Sequence, residues 1–370
     1  MPKRVLITGG AGFIGCKLLD VIADHYEVTV IDSLDPQVHG SRADFSYSGV
    51  KFFKGNICSD LTSLLSSEKP FNAVVHLAAQ TGTAQSMQNV VDYYDQNVLG
   101  SIKLLEFLKA HSPGLRVFLF ASSRSIYGEG AYNCKECEYT FTGMRHECDL
   151  ADGFFGVKCP VCHGQSESVP TPETASLNAV SHYANTKLAV EGAVRLFGAQ
   201  TSARIVNARL QNVFGPGQSL NNPYTGILGM FYSLAKGSRD LSVYENGEIH
   251  RDFISVYDVV EVLANALEND LITNEINVGS GRAISLKYVA TSVAAYFSAD
   301  LKVENVNRYR LGDVRSASAD ITRLLECIPS FSPRDFNVEL TRYLEWADAQ
   351  SPLDLGLLES VIDKDAKGEH

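Results

Sequence analysis

The feature that most constrains the fold is a glycine-rich turn between two short apolar segments near the start of the chain. Gly9, Gly12 and Gly15 recur every three residues after the β-branched run Arg4–Thr8 and open a predicted helix at Phe13–Ala23. Glycine at this spacing permits a tight strand-to-helix turn and lets the backbone approach a pyrophosphate, whose charge is held at the helix N-terminus. The pattern favours a dinucleotide-binding turn, although a purely structural turn could use the same glycines.

A carboxylate at the end of the second predicted strand supports the dinucleotide hypothesis. Asp32 lies twenty positions after Gly12, where it can accept hydrogen bonds from both hydroxyls of an adenosine ribose. The next residues, Ser33, Leu34 and Asp35, offer no cation for a 2′-phosphate. The sequence therefore favours NAD over NADP.

The first half of the chain alternates β-branched runs with helical stretches. This pattern predicts an α/β fold of the Rossmann type, a doubly wound parallel sheet covered by helices on both faces. The predicted strands are Arg4–Thr8, Glu27–Asp32, Val50–Lys54, Ala73–Leu77, Val117–Ala121 and Ala203–Arg209. Two further helices are predicted at Gln88–Ala110 and Tyr183–Phe197, with apolar stripes that fit burial on the sheet or a dimer face equally well.

The domain organisation follows from where the alternation holds and where it stops. We expect residues 1–129 and 169–210 to form the dinucleotide-binding domain. Residues 130–168 break the alternation and are predicted to form an inserted cysteine-rich subdomain, because a connection of this type is normally far shorter. Residues 211–370 are expected to form mainly a second, smaller lobe that is interleaved with the first domain.

Composition excludes several classes of protein. With 45% apolar and 20% charged residues, and with no apolar run near the roughly 18 residues of a spanning helix, we expect a globular protein that does not enter membranes. The formal charge of −11 disfavours nucleic acid as a partner. The first residues run into a predicted strand without a secretory pattern, so a cytoplasmic location with mostly reduced cysteines is expected.

A tyrosine and a lysine four residues apart, Tyr183 and Lys187, share one face of a predicted helix. A free tyrosine with a pKa of about 10 needs roughly 4 kcal/mol of differential stabilisation to titrate near neutrality. A nearby ammonium and a bound nicotinamide ring can supply energy of that order in a partly dry cleft. Tyr183 would then take a hydroxyl proton while hydride leaves the same carbon. Such pairs are common on solvated helix faces, so the hypothesis depends on the glycine turn and on Ser122-Ser123 at a strand end.

Two C-x-x-C pairs stand in the predicted insert. Cys134 and Cys137 precede Cys159 and Cys162 by a gap of 21 residues, an arrangement typical of a structural zinc site with four thiolate ligands. Substitute ligands in the same stretch are Cys148 and His163. The alternatives are a site that has lost its metal, disulfides, which a reducing cytosol disfavours, and a redox pair, which normally stands at a helix N-terminus.

With these motifs the chain resembles the extended short-chain dehydrogenase/reductase family, in its NAD-dependent nucleotide-sugar epimerase and dehydratase branch. The resemblance covers nearly the whole chain outside the insert. Its matching segments are Gly9–Gly15, Asp32, Gly55–Ile57, His76–Gln80, Asn97, Ala121–Gly128, Tyr183 with Lys187, Arg209–Gly217, Arg251–Phe253, Asn277–Gly279 and Arg310–Asp313.

The resemblance implies a role for individual residues. The catalytic set would be Ser123, which hydrogen-bonds the reacting sugar oxygen, with Tyr183 and Lys187. NAD would be bound by Gly9, Gly12, Phe13, Ile14, Gly15, Asp32, Asn56, Ile57, Leu77, Ala78, Ala79, Asn97, Tyr183 and Lys187. The substrate would be bound by Ser123, Arg124, Ser125, Asn212, Arg251, Arg310 and Asp313. Within that set, Asn212 and Arg251 would hold the diphosphate, and Arg310 with Asp313 the nucleoside. A homodimer through the two predicted helices at Gln88–Ala110 and Tyr183–Phe197 is also implied.

The residues after Ser123 discriminate between reactions within the branch. The 4,6-dehydratases of this fold carry an Asp-Glu pair there, whereas this chain has Arg124-Ser125, so the resemblance favours 4-epimerisation through a transient 4-keto sugar. The segment Ser122–Glu129, the cysteine pairs and Pro170–Glu173 resemble dTDP-L-rhamnose 4-epimerases, which implies a dTDP-6-deoxyhexose substrate, with UDP-sugars as the other class. Alternatives are a nucleotide-sugar reductase, an epimerase acting at another carbon, and a non-catalytic dinucleotide sensor.

Overall fold

The computed structural model describes residues 3–40, 44–220, 226–297, 300–310 and 312–350. The strands are β1 (Arg4–Thr8), β2 (Glu27–Asp32), β3 (Lys51–Lys54), β4 (Ala73–His76), β5 (Val117–Ser123), β6 (Ala131–Cys134), β7 (Tyr139–Thr142), β8 (Val157–Lys158), β9 (Gln165–Ser168), β10 (Arg204–Leu210), β11 (Asn212–Phe214), β12 (Leu241–Val243), β13 (His250–Ser255), β14 (Asn274–Val278), β15 (Ala283–Ser285) and β16 (Val303–Asn305).

The helices are α1 (Phe13–Ile22), α2 (Pro36–His39), α3 (Leu61–Leu65), α4 (Thr83–Gln88), α5 (Val90–Tyr93), α6 (Gly100–His111), α7 (Glu147–Ala151), α8 (His182–Thr201), α9 (Ile227–Lys236), α10 (Val256–Glu268), α11 (Leu286–Phe297), α12 (Thr322–Cys327) and α13 (Phe336–Asp348). A π-helical turn spans Tyr94–Leu99, and short 3₁₀ turns span Arg124–Tyr127 and Glu245–Gly247. Among the helices described, none is both long enough and apolar enough to cross a bilayer.

Seven parallel strands form the central sheet, in the order β14-β10-β5-β4-β1-β2-β3. All six predicted strands are present, with ends that differ from the prediction by at most two residues, and the predicted Rossmann-type fold is confirmed. The order runs outward from β1 in both directions, so the connections leave on opposite faces of the sheet. Sheets of this kind bind ligands at the carboxyl ends of the strands, beside the point where the order switches.

Two apolar layers cover the sheet. Alternate residues of β1 face opposite layers, so that Val5 and Ile7 pack in the cluster that contains α1 and α10, whereas Leu6 packs with α6 and α8. All seven residues of β5 are buried, as expected for a central parallel strand with helices on both faces. The layers fix the carboxyl ends of β1, β4 and β5 beside the start of α8.

The predicted helix at Gln88–Ala110 is wrong as a continuous element. Asn89 adopts non-helical backbone angles and separates α4 from α5, and the π-helical turn then leads into α6. Asn97 lies in that turn and is buried. In a π-helical turn each hydrogen bond spans one more residue than in an α-helix. The prediction assumed the α-helical period of 3.6 residues, so the spacing of apolar residues did not reveal this turn.

A buried ion pair joins the sheet to α8. The guanidinium of Arg209 on β10 donates from Nε and Nη2 to the two carboxylate oxygens of Glu191, at 3.0 and 2.9 Å. Glu191 also accepts from the hydroxyl of Ser122 at 2.6 Å, and Arg209 donates to the Tyr127 hydroxyl at 2.8 Å. The pair thereby connects β5, β10, α8 and the turn after Ser123.

The remainder of the chain forms a smaller assembly beside the carboxyl ends of the sheet. It contains the three-stranded sheet β11-β13-β15 and the pair β12-β16. An apolar cluster around Phe231, Tyr232 and Tyr343 joins α9, α11 and α13. The strand β14, however, belongs to the central sheet, where it pairs with β10, so the chain returns to the first unit after entering the second.

The cysteine-rich stretch folds as a separate four-stranded antiparallel sheet in the order β7-β6-β9-β8, with α7 between its strands. Tyr132 pairs with Ser168 across β6 and β9, and the amide of Val169 donates to the carbonyl of Ala131 at 3.0 Å. The insert therefore leaves and rejoins the main body through neighbouring backbone.

Candidate active site

A cavity of about 740 Å³ lies at the carboxyl ends of the central strands. It runs from the glycine turn to the start of α8, and its lining includes Gly9, Gly12, Phe13, Ile14, Gly15, Leu77, Ala79, Ser123, Tyr183, Lys187 and Asn212. Two of these glycines are required by close packing of the protein's own backbone around the tight strand-to-helix turn. A Cβ on Gly9, whose φ is +71°, would stand 2.6 Å from the amide nitrogen of Ala78, and a Cβ on Gly15 would stand 2.6 Å from the Gly10 carbonyl oxygen.

A second cavity of about 330 Å³ continues the first on the side of β2. Its lining includes Asp32, Asn56, Ile57, Leu77, Ala78 and Ala79, all of which were predicted to bind NAD. Asn56 lies in the turn after β3, where its side-chain oxygen accepts from the Cys58 amide at 2.8 Å. The combined shape, a long cleft with a polar far end, suits an extended dinucleotide.

The carboxylate of Asp32 is buried and has several polar partners. It accepts from the amides of Ala11 at 3.1 Å and Leu34 at 2.9 Å, and the Nε2 of His39 lies 3.5 Å from its Oδ1. Burial acts to raise the pKa of Asp32, but the hydrogen bonds from His39 and the amides outweigh it and lower that pKa. Asp32 is therefore an anion at neutral pH, a state in which both of its oxygens only accept hydrogen bonds.

Sequence reasoning missed His39, which lines both cavities next to Asp32. It stands at the end of α2, seven residues after Asp32. The path of the loop after β2 is what brings the His39 side chain next to Asp32, and no spacing rule in the sequence predicts that path.

Tyr183 is the second residue of α8 and lies in its first turn, beside the end of β5. Burial raises the pKa of Tyr183, whereas the hydroxyl of Ser123 and the charge of Arg124 act to lower it. The ring of Tyr93 meets the Tyr183 ring edge-on, with centroids 6.5 Å apart. Ser123 in turn accepts a hydrogen bond from the Ser125 hydroxyl at 2.9 Å, which orients the serine oxygen at the mouth of the cleft.

Lys187 lies one turn after Tyr183 and is buried. Its Nζ donates to the carbonyl of Ala121 at 2.8 Å and lies 5.9 Å from the centre of the Tyr183 ring. Burial lowers the pKa of Lys187 to about 7, and the charge of Glu191 only partly opposes the shift. The Lys187 nitrogen is thus held close to Tyr183, and with a pKa of about 7 it changes between amine and ammonium near neutrality.

Asn97, predicted to bind NAD, lies behind the cleft. Its amide nitrogen donates to the Gln80 carbonyl at 3.1 Å and to the Thr186 hydroxyl at 3.0 Å, and its oxygen accepts from the Gln80 amide at 2.7 Å. These bonds tie the loop after β4 to α8. Asn97 therefore supports the residues that line the cleft.

The predicted substrate residues gather on the other side of Tyr183. Asn212 lines the larger cavity, and its Oδ1 is buried without a hydrogen-bond partner among the described residues. The Nη2 of Arg251 lies 3.9 Å from the Oδ1 of Asp313, and the guanidinium of Arg310 stacks over the Tyr244 ring at 4.9 Å. Burial and the charge of Arg251 lower the pKa of Arg124 to about 10, so Arg124 remains a cation.

The four predicted zinc ligands meet in the insert. The Sγ atoms of Cys134, Cys137, Cys159 and Cys162 all lie within 4.8 Å of one another, and two of these contacts, Cys134 to Cys162 and Cys159 to Cys137, measure 3.5 and 3.9 Å. Four sulfurs about 2.3 Å from a tetrahedral zinc stand about 3.8 Å apart, whereas a disulfide needs about 2.0 Å. Among the described residues, Cys148 and His163 are not members of this cluster.

Comparison with known proteins gives consistent results. The sequence profile of the NAD dependent epimerase/dehydratase family matches residues 5–147 and 158–279. The chain is 34% identical over 337 residues to dTDP-L-rhamnose 4-epimerase of Burkholderia thailandensis, covering 87% of this chain and 89% of that one.

Two solved structures resemble the fold closely. A UDP-N-acetylglucosamine 4-epimerase from Methanobrevibacter ruminantium M1, in complex with UDP-N-acetylmuramic acid, matches with a TM-score of 0.75 and 26% identity over 94% of this chain and 99% of that one. The UDP-glucose 4-epimerase of Thermotoga maritima with UDP-glucose matches with a TM-score of 0.75 and 25% identity over 93% and 98% of the two chains.

The buried lysine predicts a distinctive pH dependence of stability. Between pH 7 and 10.5 the unfolded chain keeps the Lys187 proton that the folded chain has lost, so this residue makes stability rise with pH across that window. Replacing it, Lys187→Met, is expected to stabilise the cofactor-free protein more at pH 7 than at pH 9. Urea unfolding at both values measures this, with the exposed Lys109→Met as control. An equal effect of Lys187→Met at both pH values would contradict the shifted pKa.

Proposed function

Because the chain belongs to the NAD-dependent epimerase/dehydratase family, we propose that it is a nucleotide-sugar 4-epimerase that acts on a dTDP-6-deoxyhexose such as dTDP-L-rhamnose. One observation carries the proposal. The cleft joins a glycine turn suited to a dinucleotide with Ser123, Tyr183 and Lys187 at one end. A sensor without catalytic activity has no need of a buried tyrosine and lysine at that end.

In this proposal Tyr183 takes the proton of the sugar 4-hydroxyl and later returns it. NAD, when bound, supplies the hydride acceptor and donor. Ser123 hydrogen-bonds the same sugar oxygen and keeps it in line with the phenol. Burial keeps the pKa of Tyr183 raised, and the hydroxyl of Ser123 and the charge of Arg124 act against that shift without reversing it. Further positive charge near the phenol, from Lys187 at 5.9 Å and from the nicotinamide ring of bound NAD, would favour its ionisation. Epimerisation would require the 4-keto sugar to turn within the cleft, so that hydride could return to its other face while Tyr183 gives the proton back to the sugar oxygen.

The residues beside Ser123 favour epimerisation over elimination of water. Elimination needs an acid and a base next to the reacting carbons, and the two positions after Ser123 are Arg124 and Ser125. A permanently charged guanidinium cannot act as an acid or base near neutral pH. Arg124 and Ser125 therefore serve as substrate-binding groups in this proposal.

We propose that the substrate's nucleoside diphosphate lies between the central sheet and the smaller lobe. Asn212 and Arg251 would hold the diphosphate, because guanidinium and amide donors match phosphate oxygens. Arg310 and Asp313 would hold the nucleoside. In domain terms, residues 1–129 and 169–210 would bind NAD, while residues 211–370 would supply most of the sugar-nucleotide contacts.

We further propose that the insert at 130–168 holds one structural Zn²⁺ on Cys134, Cys137, Cys159 and Cys162. The sulfur separations support tetrahedral coordination rather than disulfides. Four protein ligands leave no open position, so the metal would stabilise the insert and take no part in the chemistry.

The oligomeric proposal is a homodimer through α5, α6, the π-helical turn between them, and α8. Exposed apolar side chains on these elements support it, since Val91 is 74% and Leu196 is 67% exposed and Leu99 and Ile102 are also exposed. Apolar surface of this kind is stabilised when a second copy covers it.

The reaction is tested by proton NMR of purified protein with dTDP-L-rhamnose and no added NAD. The couplings of the sugar H4 should change until an epimer mixture reaches equilibrium. Tyr183→Phe should retain NAD and turn over about 10² to 10⁴ times more slowly, while the exposed Tyr296→Phe should match the wild type. Near-normal turnover by Tyr183→Phe would remove Tyr183 as the base. In a parallel assay with added NADH, net consumption of NADH would indicate a reductase instead.

Elemental analysis tests the metal site, with about one zinc per chain expected. Cys137→Ser should lose the metal and unfold the insert, because a structural zinc site stabilises a module by an apparent ~10 to 16 kcal/mol. Cys327→Ser, outside the insert, should retain full zinc. Near-ultraviolet circular dichroism of a chelator-treated sample follows the fold, and a metal-free sample with an unchanged spectrum would refute the structural role.

Light scattering of the intact protein tests the dimer. The charge introduced by Leu196→Glu, alone or with Val91→Glu, should yield monomers, because a buried unpaired carboxylate disrupts an apolar contact. Leu271→Glu provides a matched control, since Leu271 is also 67% exposed and lies outside these helices. A wild type whose scattering gives the mass of a monomer would refute the proposal.

A further inference from the structure

A buried cluster of four charged residues lies where the insert, the loop after Ser123 and the smaller lobe meet. It consists of Glu129, Arg145, Glu245 and Arg315. The side chains of Glu129, Arg145 and Glu245 are at most 6% exposed, and that of Arg315 is 22% exposed. Two carboxylates and two guanidiniums balance in charge, as burial requires. None of the four has a role in the proposed chemistry.

Arg145 lies at the centre of this cluster and is its only member that belongs to the insert. Its Nε donates to the Oε1 of Glu129 at 2.6 Å, and its Nη1 donates to the Oε1 of Glu245 at 2.7 Å. Its Nη2 donates to the backbone carbonyl of Asp313. One planar group thus binds three segments that are far apart in the sequence, a geometry that the fixed fork of a guanidinium permits and an ammonium does not.

The segment that Arg145 holds is the one proposed to bind the nucleoside. The backbone of Asp313 is bonded to Arg145, while its carboxylate faces Arg251 at 3.9 Å. Two residues later, the amide of Arg315 donates to the Oε2 of Glu129 at 2.9 Å. The insert also contacts this segment through Phe155, whose ring centroid is 6.3 Å from that of Tyr309.

We propose that Arg145 is a positioning residue that fixes the Asp313 segment for binding of the substrate's nucleoside diphosphate, and that the insert serves nucleotide affinity in this way. The inference rests on the proposed function, because it assigns the nucleotide to Arg251, Arg310 and Asp313. Arg145 acts through Asp313 and does not touch the reacting carbon. Its removal should therefore weaken binding while leaving the chemistry at Tyr183 intact.

The test uses the purified full chain with its bound NAD, titrated calorimetrically with dTDP and with UDP. Arg145→Met should bind the nucleotide preferred by the wild type at least about tenfold more weakly. The KM for the nucleotide sugar should rise by a similar factor, with kcat changed less than about threefold. The amount of NAD bound should remain that of the wild type.

Further variants separate positioning from stability. Arg145→Lys should give an intermediate affinity, because an ammonium offers a point charge without the fork. The pair Arg145→Met with Glu245→Gln removes one charge of each sign, so the cluster stays neutral and the nucleotide affinity should still fall. Arg342→Met is the control, a half-exposed arginine on α13 whose loss should change neither affinity nor KM.

Each outcome decides between the two proposals. Wild-type affinity in the charge-balanced variant would overturn the positioning role, and so would a fall in kcat with unchanged KM. Loss of folded protein in all three Arg145 variants would also overturn it, because the cluster would then act on stability alone. A wild type that binds neither dTDP nor UDP would instead refute the proposed function.

Discussion

The site depends first on the buried pair of Arg209 and Glu191. Each charge would be costly inside the protein without the other, and the two-point geometry of the guanidinium fixes their relative orientation. Because Glu191 also accepts from Ser122, the pair sets the position of α8 against the end of β5. Tyr183 and Ser123 stand next to one another as a result. An ion pair behind the cleft thus determines the geometry of two residues that line it.

Much of the first unit could be predicted because its signals are local. The strands, the glycine turn and Asp32 follow from short β-branched runs and from a tight turn that favours glycine, and these features need no knowledge of distant contacts. The pair at Tyr183 and Lys187 is likewise a matter of helical spacing. These residues, together with the matching segments later in the chain, were enough to predict the NAD-dependent family.

What could not be predicted depends on the path of loops and on pairing between remote segments. Strand β14 was missed because it follows a long excursion and extends the sheet beyond β10. His39 reaches Asp32 only through the bend after β2. The cluster around Arg145 joins positions as far apart as Glu129 and Arg315, and a charged residue in a sequence gives no sign of whether it will be buried. The helix predicted across Asn89 was wrong for a related reason. The apolar residues keep their helical spacing on both sides of Asn89, although the helix itself is interrupted there.

The insert enters and leaves the body of the protein through adjacent strands, with Ala131 bonded to Val169. A segment whose two ends are neighbours can be lengthened, replaced or removed in the course of evolution without moving the strands that flank it. The sheet and α8 would keep their places, and catalysis would persist. Such an exchange would alter the guanidinium that reaches from the insert to the far lobe. If Arg145 positions the nucleotide-binding segment as proposed, recognition of the substrate would diverge while the reaction stayed the same.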